Sequence, residues 1–166
     1  NLIELSWLYC NSSSNDSAIS VAKRALEVAK KSDSPFSIGQ AYSSLSWYYY
    51  QNGETVKSLE NGHLAVAIWE SLTSNPNAKF DSTLYRAKSS TFGNLGTVYR
   101  NLGNLPKALE YYIAAIKISE KLNDETEIAR HLGNTGLIYF DQKDYNKALK
   151  YYFKALKFDE KSKTKV

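Results

Sequence analysis

Apolar residues recur three or four positions apart through most of the chain, the spacing of a helix with one buried face. Leu2, Leu5, Leu8 and Tyr9 begin the pattern, and the polar run Asn11–Asn15 breaks it. Asp16 or Ser17 then caps a second helix, with Ala18, Ile19, Ala22, Ala25, Leu26 and Ala29 on one face. Ser34 followed by Pro35 is a strong start signal, a capping hydroxyl before proline at the first helical position. That helix runs to about Gln51, and Asn52-Gly53 is a turn dipeptide. Its partner runs from about Thr55 to Ser71 and turns Ser58, Leu59, Ala65 and Ile68 inward. Asn75-Pro76-Asn77 forces a loop, after which Asp81 or Ser82 restarts helix to about Asn101. Leu102-Gly103-Asn104 is a turn, and Pro106 falls in the first turn of the next helix, where its missing N–H costs little. Asp124 and Glu127 have the spacing of a capping box and open the last pair, about 125–142 and 145–161. The pattern predicts eight helices in four pairs.

A longer period lies over the helical one. Gly93, Asn94, Gly96, Tyr99, Lys107, Ala108, Leu109, Tyr111, Tyr112 and Ala115 each recur 40 positions later, from Gly133 to Ala155. Ala18 and Ser58 are also 40 apart, while Ser58 to Ala108 is 50, the extra residues falling near Thr73–Asp81. A fixed period in this range means a stacked array whose units bury their apolar faces on one another. Glycine inside a helix costs roughly 1 kcal/mol against alanine. Close approach of the second helix, with Ala108 or Ala148 opposite, is the expected compensation at Gly96 and Gly136, and Tyr99 and Tyr112 are expected to fill the gap toward the next unit. Gly62 stands at the aromatic position of the second pair, which predicts looser packing there. Ser6 stands where the later glycine would be, so the first unit is degenerate.

These residues resemble the tetratricopeptide repeat. The last two units fit through Gly96, Tyr99, Ala108, Tyr112 and Ala115, and through Gly136, Tyr139, Ala148, Tyr152 and Ala155. The period is similar to that of the longer variant of the repeat. Glu120 and Glu160 replace the proline often found after the second helix, so the helix can continue. The resemblance implies an all-α fold, a right-handed superhelix of antiparallel helix pairs with about eight helices in four repeats. It implies one domain over 1–166, with repeats at approximately 1–33, 34–80, 81–123 and 124–163. It also implies a non-enzymatic module that takes a protein or peptide partner in a concave groove lined by the first helices. The repeat style, rich in Asn, Tyr, Lys and Ser, is similar to that of bacterial regulators in which such arrays precede an output domain. The expected role is therefore the sensor or interaction segment of a signalling protein. The alternative is a scaffold or dimerisation domain with an empty groove.

In that resemblance, residues two before the small glycine project toward the groove; here they are Asn94 and Asn134, with Ser44 and Glu4 in the earlier units. An asparagine offers both a donor and an acceptor, so the two can grip a peptide backbone; hydrogen bonds within the domain are the other reading. One residue after the glycine stand Trp7, Trp47, Thr97 and Leu137, and three further on Cys10, Tyr50, Arg100 and Phe140. Aromatics and arginine are enriched at binding hot spots, but burial between adjacent units would also explain them. Arg130, six before Gly136, is placed to meet an acidic group. The chaperone-tail branch of the family uses a Lys and an Asn where this chain has Gly93, Gly133, Thr97 and Leu137. Chaperone C-termini are therefore not an expected partner.

Composition narrows the rest. Apolar content of 43% over 166 residues suits a packed domain, and 13 tyrosines suit helix pairs that meet through large amphipathic side chains. No apolar run is long enough to cross a membrane, and no signal peptide is visible. The chain starts at Asn1 and contains no Met, which reads as a piece of a longer protein. The compartment is open: cytoplasmic, or periplasmic with an upstream signal. Cys10 is alone and fixes no redox environment, and two glycosylation triplets in the Asn11–Ser17 loop are of the kind chance supplies. The net charge of +4 is too modest to indicate nucleic acid. Lys147, Lys150, Lys154, Lys157 and Lys161 form one stripe of the last helix, read as a solvated face, with an anionic surface or an acidic protein as the alternative partner. His63 and His131 have no metal-ligand spacing, and no catalytic constellation is present, so no enzyme, metal or cofactor is expected. Tyr152, Phe153 and Leu156 would lie bare at the end of the array. A further repeat, a capping helix, a coiled-coil linker or a second copy is expected to cover them, which makes self-association through the C-terminal helix one outcome.

Overall fold

The computed structural model describes residues 15–74 and 81–163. Within them lie seven helices: α1 (Asn15–Lys31), α2 (Pro35–Gln51), α3 (Thr55–Thr73), α4 (Ser82–Asn101), α5 (Leu105–Lys121), α6 (Glu125–Asp141) and α7 (Tyr145–Lys163). The helix expected over 2–11, Trp7, Cys10 and the Asn75–Asn77 loop lie outside the described residues. The described residues are all-α, and the chain forms two compact units, one ending at Phe80 and the other beginning at Asp81. In the first, α2 packs on α1 and on α3; in the second, each helix packs on the next and α4 also touches α6.

One turn geometry joins the helices within each unit. At all five connections a single residue takes the left-handed conformation: Asp33, Gly53, Gly103, Asn123 and Lys143, with φ of 48, 79, 75, 52 and 62°. The next residue, at the start of the following helix, returns its N–H to a carbonyl five positions back. Examples are Glu54 to Tyr49, Asn104 to Tyr99, Asp124 to Ser119 and Asp144 to Tyr139. This is the Schellman closure, which satisfies carbonyls the helix end leaves open. The same residue often caps the next helix. Ser34 accepts from Ser37 N–H, Asn104 from Lys107 N–H and Asp124 from Glu127 N–H. Asp81 is the cap of α4 and accepts from Thr83 and Leu84. Only half of the expected capping box forms at α6, because the Glu127 carboxylate is taken by Arg130 and His131 instead.

The core explains the glycines differently from the sequence. A Cβ on Gly96 would stand 2.7 Å from the ring of Tyr112, and one on Gly136 would stand 2.6 Å from that of Tyr152. The second helix thus lays a tyrosine ring, rather than Ala108 or Ala148, over the missing side chain. Tyr112 fills space within its own pair, where the sequence suggested the gap to the next unit. Ala108, Ala115 and Ala148 are buried beside these contacts, while Ala155 is only half-buried. Tyr99 stacks on Tyr111 with centroids 5.5 Å apart and carries Lys107 over its ring, and Tyr139, Tyr151 and Lys147 repeat the arrangement at 5.2 Å. In the first unit, Ser46 and Gly62 hold the places of Gly96 and Tyr112 and leave no aromatic ring between them. The close contact has moved two turns along both helices: a Cβ on Gly39 would stand 2.7 Å from Trp69, which is fully buried. Displacing the glycine toward the start of one helix and the ring toward the end of the other keeps an antiparallel pair in contact.

Candidate functional site

In the second unit, the first helices of the two pairs are α4 and α6. Asn94 lies on α4 and Asn134 on α6, both half-buried. Thr97 and Arg100 follow Asn94 along α4. Arg130 and Phe140 flank Asn134 on α6. Trp47 and Tyr50 lie in the first unit on α2, their rings tilted together with centroids 5.4 Å apart. Trp47 is partly buried against the cluster that includes Ile19, Leu45 and Tyr48.

Several of these side chains are engaged inside the unit. Arg100 donates from Nε to Asp141 Oδ2 at 2.7 Å and from Nη2 to Asp141 Oδ1 at 3.2 Å, a two-point clamp between α4 and the end of α6. Hydrogen bonding to Asp141 raises the Arg100 pKa further. Thr97 donates to the Gly93 carbonyl at 3.2 Å and pairs with the Tyr112 hydroxyl at 3.0 Å, which fixes the ring over Gly96. Arg130 pairs with Glu127 one turn back on its own helix. Phe140, 52% exposed, meets Tyr145 edge-on at 5.6 Å. Asn94 and Asn134 differ from the rest: neither side chain hydrogen-bonds to another described residue. Each presents an uncommitted N–H₂ and carbonyl from the middle of a rigid helix. The two amides stand one repeat apart on successive first helices. Each amide can both accept from and donate to a peptide backbone.

Beneath this face lies a buried polar centre that spacing alone did not reveal. His131 is completely buried, with Nε2 3.4 Å from Ser89 Oγ and 3.4 Å from Glu127 Oε2. Ser89 also donates to the Ala115 carbonyl at 3.1 Å and meets Ser119 Oγ at 2.8 Å, so the centre ties α4, α5 and α6 together. Gly93 makes room for it: a Cβ there would collide with His131 Cε1. Burial lowers the His131 pKa, against the opposing pull of Glu127. Glu127 in turn is brought down to about 2, first by the His131 hydrogen bond and then by Arg130. The neutral ring with its proton on Nε2 satisfies the carboxylate and leaves Nδ1, which has no partner, as a bare acceptor. The sequence carried a signal for this, since His131 has a 40-residue counterpart in Thr91, also buried.

Residues 88–161 match the family model of the tetratricopeptide repeat. Among solved structures, the chain is similar to the apo form of RapI, with 21% identity, a TM-score of 0.80, and coverage of 98% of this chain and 56% of that one. It is similar to BtubC from P. vanneervenii, with 23% identity, a TM-score of 0.68, and coverage of 90% and 58%. It is also similar to MamA, with 21% identity, a TM-score of 0.67, and coverage of 98% and 79%. The chain thus spans little more than half the length of RapI and BtubC. No curated protein matches the sequence. Helical repeats of this type are typically non-enzymatic. Among the described residues no helix is long and apolar enough to cross a membrane. The chain matches the tetratricopeptide repeat over residues 88–161, and its described residues form a helical repeat fold of the kind these solved structures share.

Proposed function

We propose that the face formed by α4 and α6 binds an extended peptide segment of a partner protein, with Asn94 and Asn134 holding its backbone. The observation that carries this reading is the pair of uncommitted amides, one repeat apart, on helices fixed by the Arg100–Asp141 clamp and the His131 centre. Phe140 and Arg130, both exposed, flank the pair on α6 and supply apolar and cationic contacts for the partner's side chains. In the first unit, Trp47 and Tyr50 are the residues we assign to partner contact. The wider role we assign is the sensor or interaction segment of a bacterial regulatory or signalling protein, in keeping with its Asn-, Tyr- and Lys-rich repeat style. Occupancy acts by differential binding: a segment that grips both amides favours one pitch or self-association state of the array over others and so biases its output.

The test begins by selecting a peptide from a display library on the 1–166 chain and measuring its affinity by fluorescence anisotropy. Replacing Asn94→Ala and Asn134→Ala together removes two hydrogen-bonding groups, each worth about 0.5–1.5 kcal/mol. Affinity should fall roughly tenfold or more with the helical circular dichroism unchanged. Equal affinity in the double variant removes the groove assignment. A scaffold reading has its own observation, the exposed apolar side chains Leu149, Phe153 and Leu156 of α7.

A further inference from the structure

A cavity of about 540 Å³ opens between α5 and α7 above α6. Its floor is apolar: Ile116 from α5, Ile128 and Leu132 from α6, and Phe158 from α7. At 3.6 residues per turn, Ile128 and Leu132 lie on roughly the opposite side of α6 from Asn134. The cavity is thus separate from the amide face. One wall is cationic. Lys154, Lys157 and Lys161 follow one another at three- and four-residue spacing along α7, all exposed and all lining the cavity. Lys161 is tied down, its Nζ 2.6 Å from Oε1 of the buried Glu125. Lys154 lies over the ring of Tyr151 at 5.4 Å. The opposite wall carries the carboxylate of Glu120.

We infer that this cavity is a binding site for a small amphiphilic anion, a single-chain carboxylate of medium length. The chemistry of the walls selects the class. The floor offers no hydrogen-bonding side chain, so a sugar or nucleoside would lose its hydration without replacement. The volume lies within the roughly 300–1,000 Å³ of small-ligand sites. At about 30 Å³ per methylene, the share of a water in the liquid, a ten-carbon chain occupies a little over half of it. With Lys161 matched to Glu125, Lys154 and Lys157 remain on one wall for an anionic head. Glu120 on the far wall repels that head and so sets its direction, with the tail over Ile116, Ile128 and Leu132. The Lys stripe of α7 thereby gains a use at its C-terminal half that a solvated face does not require.

The probe is decanoate, titrated below its micellar range into the 1–166 chain and followed by calorimetry and amide chemical shifts. Saturable binding is expected, with shift changes centred on Ile116, Ile128, Leu132 and Phe158. Each added methylene from octanoate to dodecanoate should tighten binding by up to about fourfold. Decanol and decyltrimethylammonium should bind at least tenfold more weakly than decanoate. Lys154→Glu with Lys157→Glu should weaken decanoate at least tenfold. Lys150→Glu with Lys117→Glu, which alters the same helices outside the cavity, should not. The Asn94→Ala, Asn134→Ala chain should bind decanoate as the parent does, which keeps this result apart from the peptide-groove test. Equal binding of decanol, equal weakening by the two lysine pairs, or no saturation would overturn the inference. So would an acidic amphipathic helical peptide that fills the cavity and is not displaced by decanoate.

Discussion

His131 shows what one residue does in this fold. Its imidazole is enclosed by Gly93 and Ser89 of α4, Tyr112 of α5 and Glu127 of α6, with Arg130 and Asp124 the other charges that act on it. Burial lowers its pKa below the ordinary 6.5. The unfolded chain therefore binds a proton that the folded chain refuses, and stability falls as pH drops through about 6.5. Glu127, held at about 2 against an ordinary 4.5, contributes stability that is lost only as pH falls below about 4.5. The two steps are separable in pH, and the upper one belongs to the histidine. The urea midpoint of the parent chain should be lower at pH 5.5 than at pH 7.5. In His131→Gln the difference should largely vanish, although that variant is less stable at both pH values. An unchanged difference would place the titrating group elsewhere.

Within a helix, the repeated glycines carry opposite meanings that the repeat alone does not distinguish. Gly93 and Gly133 are equivalent by period, as are Gly96 and Gly136. Gly96 faces the ring of Tyr112, which is buried and anchored by Thr97 and so has little freedom to shift. Gly133 has nothing within 4 Å of where a Cβ would stand. Gly96→Ala should therefore destabilise by about 1–3 kcal/mol through overpacking, while Gly133→Ala should stabilise by about 1 kcal/mol through helix propensity. For a chain of this size that is a rise in melting temperature of about 2–4 °C for Gly133→Ala and a fall for Gly96→Ala. Melting temperatures that move in the same direction would refute the assignment of Tyr112 to Gly96. Element boundaries were legible because each carries its own chemistry: Ser34-Pro35, Asp81 and the Gly53 and Gly103 turns are local signals. The partner of each glycine was not legible, since it depends on how two helices cross. For the same reason no spacing marks Trp69, although it replaces the ring missing at Gly62. At the candidate site, spacing placed Asn94 and Asn134 on first helices, but it could not show that Arg100 is clamped by Asp141 while the amides are left uncommitted.

At the scale of the molecule, α7 is the element whose sequence is least accounted for by its own unit. Tyr152 is half-buried over Gly136, so it belongs to the fold and not to the bare face the sequence assigned it. Leu149, Phe153 and Leu156 remain, at four- and three-residue spacing on one side of the helix, with Phe153 67% exposed. Phe140 and Tyr145 extend the apolar surface across the preceding turn. Burying such a stripe against an equivalent one releases water from both at roughly 25 cal/mol per Å², and a symmetric pairing needs no second kind of partner. The scaffold reading therefore predicts that the 1–166 chain associates as its concentration rises, measured by light scattering. Phe153→Glu should return it to the monomer without loss of helix, because that side chain contributes little to its own pair. Tyr152→Glu is the contrasting variant: it should lower the melting temperature by exposing Gly136, whatever the state of association. A chain that stays monomeric across the concentration range would leave the stripe of α7 to a different protein and the scaffold reading without its evidence.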